Sequence, residues 1–166
     1  MITQKPIKRN TAIAGFSRDH HLGLLLVWKI RQGLQLSIDY DRISAYILFS
    51  FEDHLKQHFD EEEQLLFNLL PEDNDLRLSA ENDHKELSDL IIKIESAPNR
   101  SVIAEFANKL EQHIRFEERI LFSYIQDHFS KEQLTSIAKQ MEISHGKLHE
   151  DQWQDTFWIE NEKAIN

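Results

Sequence analysis

The chain has 166 residues, carries a formal net charge of −10 and contains no cysteine. Its length fits one domain, and the lack of cysteine excludes disulfides, thiolate zinc sites and cysteine-ligated iron–sulfur clusters. An acidic chain repels phosphate backbones, so we do not expect nucleic acid as a partner. Residues 1–15 lack the apolar core of a secretory signal, and the apolar run Leu22–Trp28 is too short to cross a bilayer. We therefore expect a soluble, cytoplasmic protein without a membrane partner.

Apolar residues at helical spacing, separated by turn-forming residues, predict five helices. The predicted ranges are about 17–37, 41–70, 75–96 and 101–129, followed by a C-terminal helix that starts after Ser130. Ser17 is the expected N-cap of the first helix, and Pro71 is expected to end the second. Ser130 and Gln133 have the spacing of a capping box, in which each side chain accepts a hydrogen bond from the other residue's backbone N–H.

Short loops between four long helices indicate neighbours that pack antiparallel. The predicted fold class is all-α: an up-down-up-down four-helix bundle with a C-terminal helical extension. We expect an N-terminal segment over 1–16, the bundle over 17–129, and a helical extension over 130–166 that packs on the bundle. Trp153, Phe157 and Trp158 form an apolar patch in this extension, which is expected to dock on the bundle; a dimer interface is the alternative.

The spacing His-x-x-x-Glu occurs in the second and the fourth predicted helix, as His58–Glu62 and His113–Glu117. Four residues are about one helical turn, so each imidazole shares a helix face with its glutamate. Both pairs lie on apolar stripes and should point into the bundle. An unpaired buried carboxylate costs on the order of several kcal/mol, and metal ions between the helices would offset that cost. The two pairs therefore predict a site for two metal ions.

A further histidine precedes each copy on a separate helix: His84 precedes the second copy, and His20 or His21 precedes the first. Spacing alone leaves the choice between His20 and His21 open. His20 is favoured because its helix face carries Gly23, where the missing side chain would leave room for a metal ion. The order His … His-x-x-x-Glu then occurs twice in the chain. This repeat predicts a pseudo-two-fold site with two imidazoles for each metal and two shared carboxylates.

Other polar residues near these motifs have less specific patterns. His54 lies one turn before His58, so it is either an additional ligand or, as we favour, a histidine at the core or its rim. Glu61 and Glu63 flank Glu62 and are expected to be solvated; the alternative for Glu61 is a position that lines the entrance to the site. Two further pairs have metal-ligand spacing but are not expected to bind metal, because one spans a helix break and the other contains a glycine and lacks a carboxylate; they are His128 with Glu132, and His145 with His149.

These motifs resemble the hemerythrin-like, or HHE cation-binding, family. The similarity is carried by Asp19-His20-His21, by His58 to Phe67, by Asp83-His84, and by His113 to Phe122. The resemblance implies a four-helix bundle with a non-heme di-iron centre: two iron ions with an oxo or hydroxo bridge, for which manganese or zinc could substitute. The ligands that it implies, with both glutamates bridging, are His20, His58, Glu62, His84, His113 and Glu117.

The third helix departs from the oxygen-carrying members of that family, which have two ligand histidines four residues apart there. In this chain, Ala80 and Ser88 occupy the positions four residues from His84. A centre of four histidines and two glutamates resembles bacterial hemerythrin-like proteins that are linked to iron handling, nitrosative stress or di-iron repair. This departure weakens the interpretation as a dedicated oxygen carrier.

The leading functional interpretation is a di-iron protein that binds iron and a small diatomic ligand, O2 or NO, in sensing, iron handling or stress response. The alternative is a di-iron enzyme that reduces NO or peroxide, or that donates iron for the repair of iron centres. A bundle with a purely structural metal is a third possibility. No nucleophile motif, organic-cofactor motif or protein partner is indicated by the sequence. The apolar lining expected near the metals comprises Val27, Phe51, Leu55, Leu87 and Leu110.

Overall fold

A computed structural model describes residues 8–144 and 152–159. All regular structure in these two ranges is helical, which confirms the predicted all-α class. The first helix, α1, spans Thr11–Gln35, and its N-cap is Asn10, whose side chain accepts a hydrogen bond from the Ala12 N–H. The predicted start at Ser17 was therefore wrong. The helix begins earlier because Ala12, Ile13 and Phe16 already belong to its buried face.

The second helical stretch is not a uniform α-helix. It consists of α2 (Tyr40–Ser50), a π turn over Phe51–Leu55, and α3 (Lys56–Leu65). A short 3-10 turn, Phe67–Leu69, follows before Pro71, so the regular helix ends earlier than the predicted Leu70. π turns are uncommon and frequently occur at functional sites. This one immediately precedes the segment that carries His58 and Glu62.

The third helix, α4, spans Asp75–Ser96, as predicted. The next stretch begins at α5 (Arg100–Phe116), passes through a second π turn over Glu117–Leu121, and ends with α6 (Phe122–His128). Asparagine side chains cap both starts: Asn74 accepts hydrogen bonds from the Leu76 and Arg77 N–H groups in the first turn of α4, and Asn99 accepts one from the Val102 N–H in the first turn of α5. The second π turn contains Glu117 itself.

The last described helix, α7, spans Lys131–Ser144. The predicted capping box is confirmed: Gln133 N–H donates to Ser130 Oγ (3.1 Å), and Ser130 N–H donates to Gln133 Oε1 (2.9 Å). The prediction of a helical extension over 130–166 was wrong for residues 152–159, which are not helical. In that segment Phe157 is buried in the core. The pair His145 and His149 lies outside the described residues.

Gly33 explains how the C-terminal segment reaches the core. A Cβ at this position would lie 2.7 Å from Phe157 Cε2 and 3.0 Å from Ile43 Cδ1, so only glycine lets both side chains approach α1. A bidentate pair between Arg42 and Asp155, with distances of 2.9 and 2.7 Å, ties the segment to the start of α2. Phe157, Trp153 and Trp158 all pack around Tyr46.

Helix α1 packs against α5, α7 and α2, while α4 packs against α5 and α2. Two apolar cores result. The larger core includes Ile30, Ile47, Leu87 and Leu110, and the smaller core includes Phe16, Phe67, Phe122 and Leu134. Along each long helical stretch, the buried histidines and glutamates lie between residues of the larger core and residues of the smaller one. None of the helices in the described ranges is both long and apolar enough to cross a membrane.

Candidate metal centre

Two groups of side chains converge between the cores. Group A consists of His20, His58, Glu62 and Glu117, and group B consists of His84, His113, Glu62 and Glu117. In each group, one nitrogen or oxygen atom per residue lies within 4.8 Å of all the others. All six residues are buried. The structure thus brings together every residue that the sequence predicted for the site, and the two glutamates belong to both groups.

Glu62 faces both groups with its two carboxylate oxygens. Its Oε1 lies 3.0 Å from His58 Nε2 and 3.2 Å from His20 Nε2, both in group A. Its Oε2 lies 3.2 Å from His84 Nε2 in group B. The side chain has no exposed surface. One carboxylate placed between two sets of imidazoles has the geometry of a bridge between two cations.

Glu117 occupies the corresponding position on the other motif. Its Oε2 lies 2.9 Å from His20 Nε2 and 3.4 Å from His113 Nε2. Among the described residues, neither oxygen of this fully buried carboxylate has a hydrogen bond of ordinary geometry. Burying an uncompensated carboxylate is strongly unfavourable. The chemistry of this position therefore fits a bound cation.

Each of the four imidazoles has a carboxylate beside its Nδ1. This contact orients the ring: in the neutral form that binds metal, Nδ1–H would donate to the carboxylate and leave the Nε2 lone pair facing the interior. The arrangement is that of a metal-binding histidine with its supporting acid. The pairs are His20 with Glu118 (2.8 Å), His58 with Asp19 (3.1 Å), His84 with Glu63 (2.8 Å), and His113 with Asp83 (3.3 Å).

These supporting acids repeat between the two halves of the chain. Asp19 and Asp83 each precede the first histidine of a half and contact the second histidine of the same half. Glu63 and Glu118 each follow a shared glutamate and contact the first histidine of the other half. This role was not predicted from the sequence. The duplicated dipeptides Asp-His and Glu-Glu were the available signal.

The expectation for the glutamates beside Glu62 was therefore wrong in part. The side chain of Glu63 is 44% exposed, but its Oε1 contacts His84 Nδ1. Glu61 is buried, and its Oε1 accepts a hydrogen bond from Gln57 Nε2 at 2.8 Å. Glu61 belongs to neither group.

Phenylalanine rings pack on the imidazoles and hold their planes. The His20 ring stacks on Phe122 with a centroid distance of 5.2 Å and an angle of 5°. The His84 ring stacks on Phe59 at 4.2 Å and on Phe67 at 5.4 Å. These aromatic contacts limit access of water to the site. Beside them, the residues expected to provide an apolar lining all lie in the larger core: Val27, Phe51, Leu55, Leu87 and Leu110.

The structure places the adjacent residues His20 and His21 in different environments. His20 is 3% exposed and belongs to group A, whereas His21 is exposed on the outer face of α1. The argument from Gly23 was wrong, although it favoured the same residue. A Cβ at Gly23 would lie 2.8 Å from Ile114 Cδ1, so this glycine allows α1 and α5 to pack closely. It does not make room for a metal ion.

His54 and His128, the remaining histidines in the ranges that the structure describes, lie apart from both groups. His54 lies on the first π turn, its side chain is 33% exposed, and its Nδ1 is 3.8 Å from the Asp53 carboxylate. His128 stacks on Tyr124 with a centroid distance of 3.9 Å, and its Nδ1 lies 2.9 Å from the Tyr124 carbonyl oxygen. Neither residue contributes an atom to group A or B.

The carboxylates make the site favour positive charge. Burial lowers the pKa of His58, but the Glu62 charge and hydrogen bonds with Asp19 and Glu62 outweigh it and raise the pKa to about 9. Burial also lowers the pKa of His84, while hydrogen bonds with Glu62 and Glu63 raise it to about 10. Burial raises the pKa of Glu62, but the charge of His58 and hydrogen bonds from three imidazoles hold it well below its usual range. Without a bound cation, His58 and His84 therefore favour the protonated form at neutral pH.

The donor set defines which cations fit. Imidazole and carboxylate donors together suit iron, manganese or zinc, and do not suit copper(I). Each group offers four protein donors. An ion that prefers six ligands would keep positions for small exogenous molecules.

Comparison with known families gives one informative match. The model of the hemerythrin HHE cation binding domain matches residues 16–125, which include all members of groups A and B. The corresponding comparisons with curated proteins and with solved structures give no match.

Proposed function

Because the chain belongs to the hemerythrin HHE cation-binding family, we propose that groups A and B hold a pair of iron ions. Group A would bind one ion and group B the other, with both glutamates shared. Manganese and zinc are the substitutes that the donor types allow. The proposed protein ligands are His20, His58, Glu62, His84, His113 and Glu117.

The single observation that carries this proposal is the position of Glu62 between the two groups. Its Oε1 lies within 3.2 Å of two imidazoles of group A, and its Oε2 lies 3.2 Å from an imidazole of group B. One buried carboxylate in contact with three imidazoles is well compensated only when positive charge lies on both sides of it. A dinuclear centre supplies that charge.

The proposal includes the arrangement of the whole chain. The four long helical stretches would form the up-down-up-down bundle predicted from the short loops, which would begin with α1 at Thr11 instead of the predicted 17 and end at 129. The helix Lys131–Ser144 and the segment 152–159 would then be an extension packed on this bundle. A cytoplasmic location completes the proposal.

We further propose that the iron pair binds a small diatomic molecule, O2 or NO, in sensing, iron handling or stress response. When bound, the iron ions would supply redox chemistry and open positions for such a ligand. The residues around them support a small, weakly polar ligand, because Phe59, Phe67 and Phe122 pack directly on the imidazoles. Turnover of NO or peroxide by the reduced protein would instead establish the enzymatic alternative.

The choice between the two adjacent histidines gives a direct mutational test. His20→Ala should lower the iron content of purified protein, because it removes a group A nitrogen that contacts both shared glutamates. His21→Ala is the matched control and should leave the iron content unchanged, because His21 lies on the outer face. Metal analysis of both variants after identical purification measures this. Equal losses, or a loss only in His21→Ala, would contradict the proposed ligand set.

The reaction with gases tests the proposed ligand class. Reduced, iron-loaded protein should react with O2 without a stable, reversible oxygenated form, and it should bind NO. The reason is that the phenylalanine rings around the imidazoles carry no hydrogen-bond donor to stabilise bound oxygen. Stopped-flow absorbance after mixing with each gas measures both reactions. Full recovery of the reduced spectrum after removal of O2 would restore an oxygen-carrier role, and no change with either gas would indicate a structural metal.

A further inference from the structure

Two cationic side chains, Arg9 and Lys109, contact the supporting acids of the site through the carboxylate oxygen that does not contact the imidazole. Arg9 Nε and Nη2 lie 3.2 and 3.1 Å from Glu118 Oε2, while the other oxygen of Glu118 lies 2.8 Å from His20 Nδ1. Lys109 Nζ lies 2.6 Å from Asp83 Oδ1, and Asp83 Oδ2 lies 3.3 Å from His113 Nδ1. Each cation thus reaches an imidazole through one carboxylate, and the two imidazoles belong to different groups.

Arg9 has a second link to the same imidazole. Its guanidinium carbon lies 5.8 Å from the centre of the Phe122 ring, and Phe122 stacks on His20. The Arg9 side chain is only 10% exposed. A planar guanidinium that binds one carboxylate through two nitrogens restricts it more than a single contact does. Arg9 therefore fixes both the hydrogen-bond partner and the stacking partner of His20.

Lys109 contacts the oxygen of its supporting acid that does not contact the imidazole. Its Nζ contacts Glu86 Oε2 at 2.5 Å as well as Asp83, and its side chain is 22% exposed. The ammonium and the imidazole use different oxygens of the Asp83 carboxylate. Asp83 is thereby kept from turning away from His113.

We propose that Arg9 and Lys109 are positioning residues for the metal pair, each acting through one carboxylate on one imidazole. Arg9 serves group A through Glu118 and His20, and Lys109 serves group B through Asp83 and His113. This inference rests on the proposed function, because it assumes that the two groups bind metal.

The sign of the mutational effect separates this role from simple electrostatics. A nearby positive charge repels a bound cation, so removing it should strengthen metal binding if charge alone matters. Loss of positioning has the opposite effect, because a supporting acid that no longer orients its imidazole weakens the metal site. Weaker metal binding after removal of a positive charge is therefore specific to the positioning role.

The test is a titration of the metal-free chain with Co2+ in the presence of a competing chelator, followed by the visible absorption of bound Co2+. Arg9→Gln should lower the affinity for one of the two Co2+ ions by about tenfold. This is the lower end of the range for loss of a residue that supports a metal ligand. Arg9→Lys should recover part of the loss. Arg42→Gln is the matched control: it breaks another pair in which two guanidinium nitrogens contact one carboxylate, that of Asp155, and it should leave both affinities unchanged.

Lys109→Gln is the second, independent variant and should lower the affinity for the other Co2+ ion. Glu118→Gln combined with Arg9→Gln completes the test: once Glu118 is replaced, loss of Arg9 should cause little further weakening, because both act on the same imidazole. Circular dichroism confirms that each variant is folded before the titration. Unchanged or tighter Co2+ binding in both folded single variants would overturn this inference alone, whereas a wild-type chain that fails to bind two Co2+ ions would overturn the proposed function with it.

Discussion

Glu62→Ala should strongly weaken the binding of both metal ions, because its carboxylate contacts imidazoles of both groups, one oxygen for each group. For comparison, a structural zinc site with four protein donors contributes on the order of 10–16 kcal/mol. An equal share for each donor is roughly 3 kcal/mol, or about a 100-fold weaker affinity for each ion. Isothermal titration of the metal-free variant with Fe2+ under anaerobic conditions measures both affinities.

Glu61→Ala is the matched control for this prediction. Glu61 is the neighbouring buried glutamate on the same helix, but it accepts a hydrogen bond from Gln57 and belongs to neither group. Its removal should leave both Fe2+ affinities near the wild-type values. If Glu62→Ala lowered the affinity for only one Fe2+ ion, the carboxylate would not be shared between the groups.

The second large effect concerns the pH dependence of stability without metal. The pKa of His58 is raised to about 9 and that of His84 to about 10, against about 6.5 for histidine in an unfolded chain. A raised histidine pKa contributes stability that is fully present below the unfolded value and is lost as pH rises through the folded value. The metal-free protein should therefore lose on the order of several kcal/mol of unfolding free energy between pH 6.5 and 10.

Metal should remove this dependence, because bound cations replace the protons between the carboxylates. Urea denaturation of chelator-treated protein at pH 6, 7.5 and 9, compared with iron-loaded protein, tests the prediction. The contribution of Glu62 to stability has the opposite pH dependence. Its lowered pKa contributes stability that is lost as pH falls, so the stability of the metal-free protein should also decline in acid. Equal stability of the metal-free protein at pH 6 and pH 9 would contradict the proton-binding site described here.

Much of the fold could be predicted because local signals were strong. The helix Asp75–Ser96 and the capping box at Ser130 agree with the sequence in detail. The start of α1 was missed because Asn10 is also an N-capping residue, and the short apolar run after it was not counted as helix. The π turns at Phe51–Leu55 and Glu117–Leu121 leave no signal in hydrophobic periodicity, since they change helix geometry over a few residues only.

In the candidate site, features set by spacing within one helix could be predicted from the sequence, whereas contacts between helices could not. The six inward-facing residues were identified because each His-x-x-x-Glu pair lies within one helix. The supporting acids were missed because each lies beside a site residue in sequence but contacts an imidazole on another helix, as Asp19 does with His58. The role of Gly23 was misjudged for a related reason: its nearest neighbour, Ile114, lies on a helix far along the chain.

Metal analysis of protein purified from iron-supplemented cells, combined with quantitative amino-acid analysis, tests the central claim most directly. Two groups that share Glu62 and Glu117 predict two iron ions in each chain. Glu61→Ala should retain both ions, while Glu62→Ala should retain almost none. A wild-type content of one metal ion per chain, or of two that persist in Glu62→Ala, would contradict a dinuclear centre built on these residues.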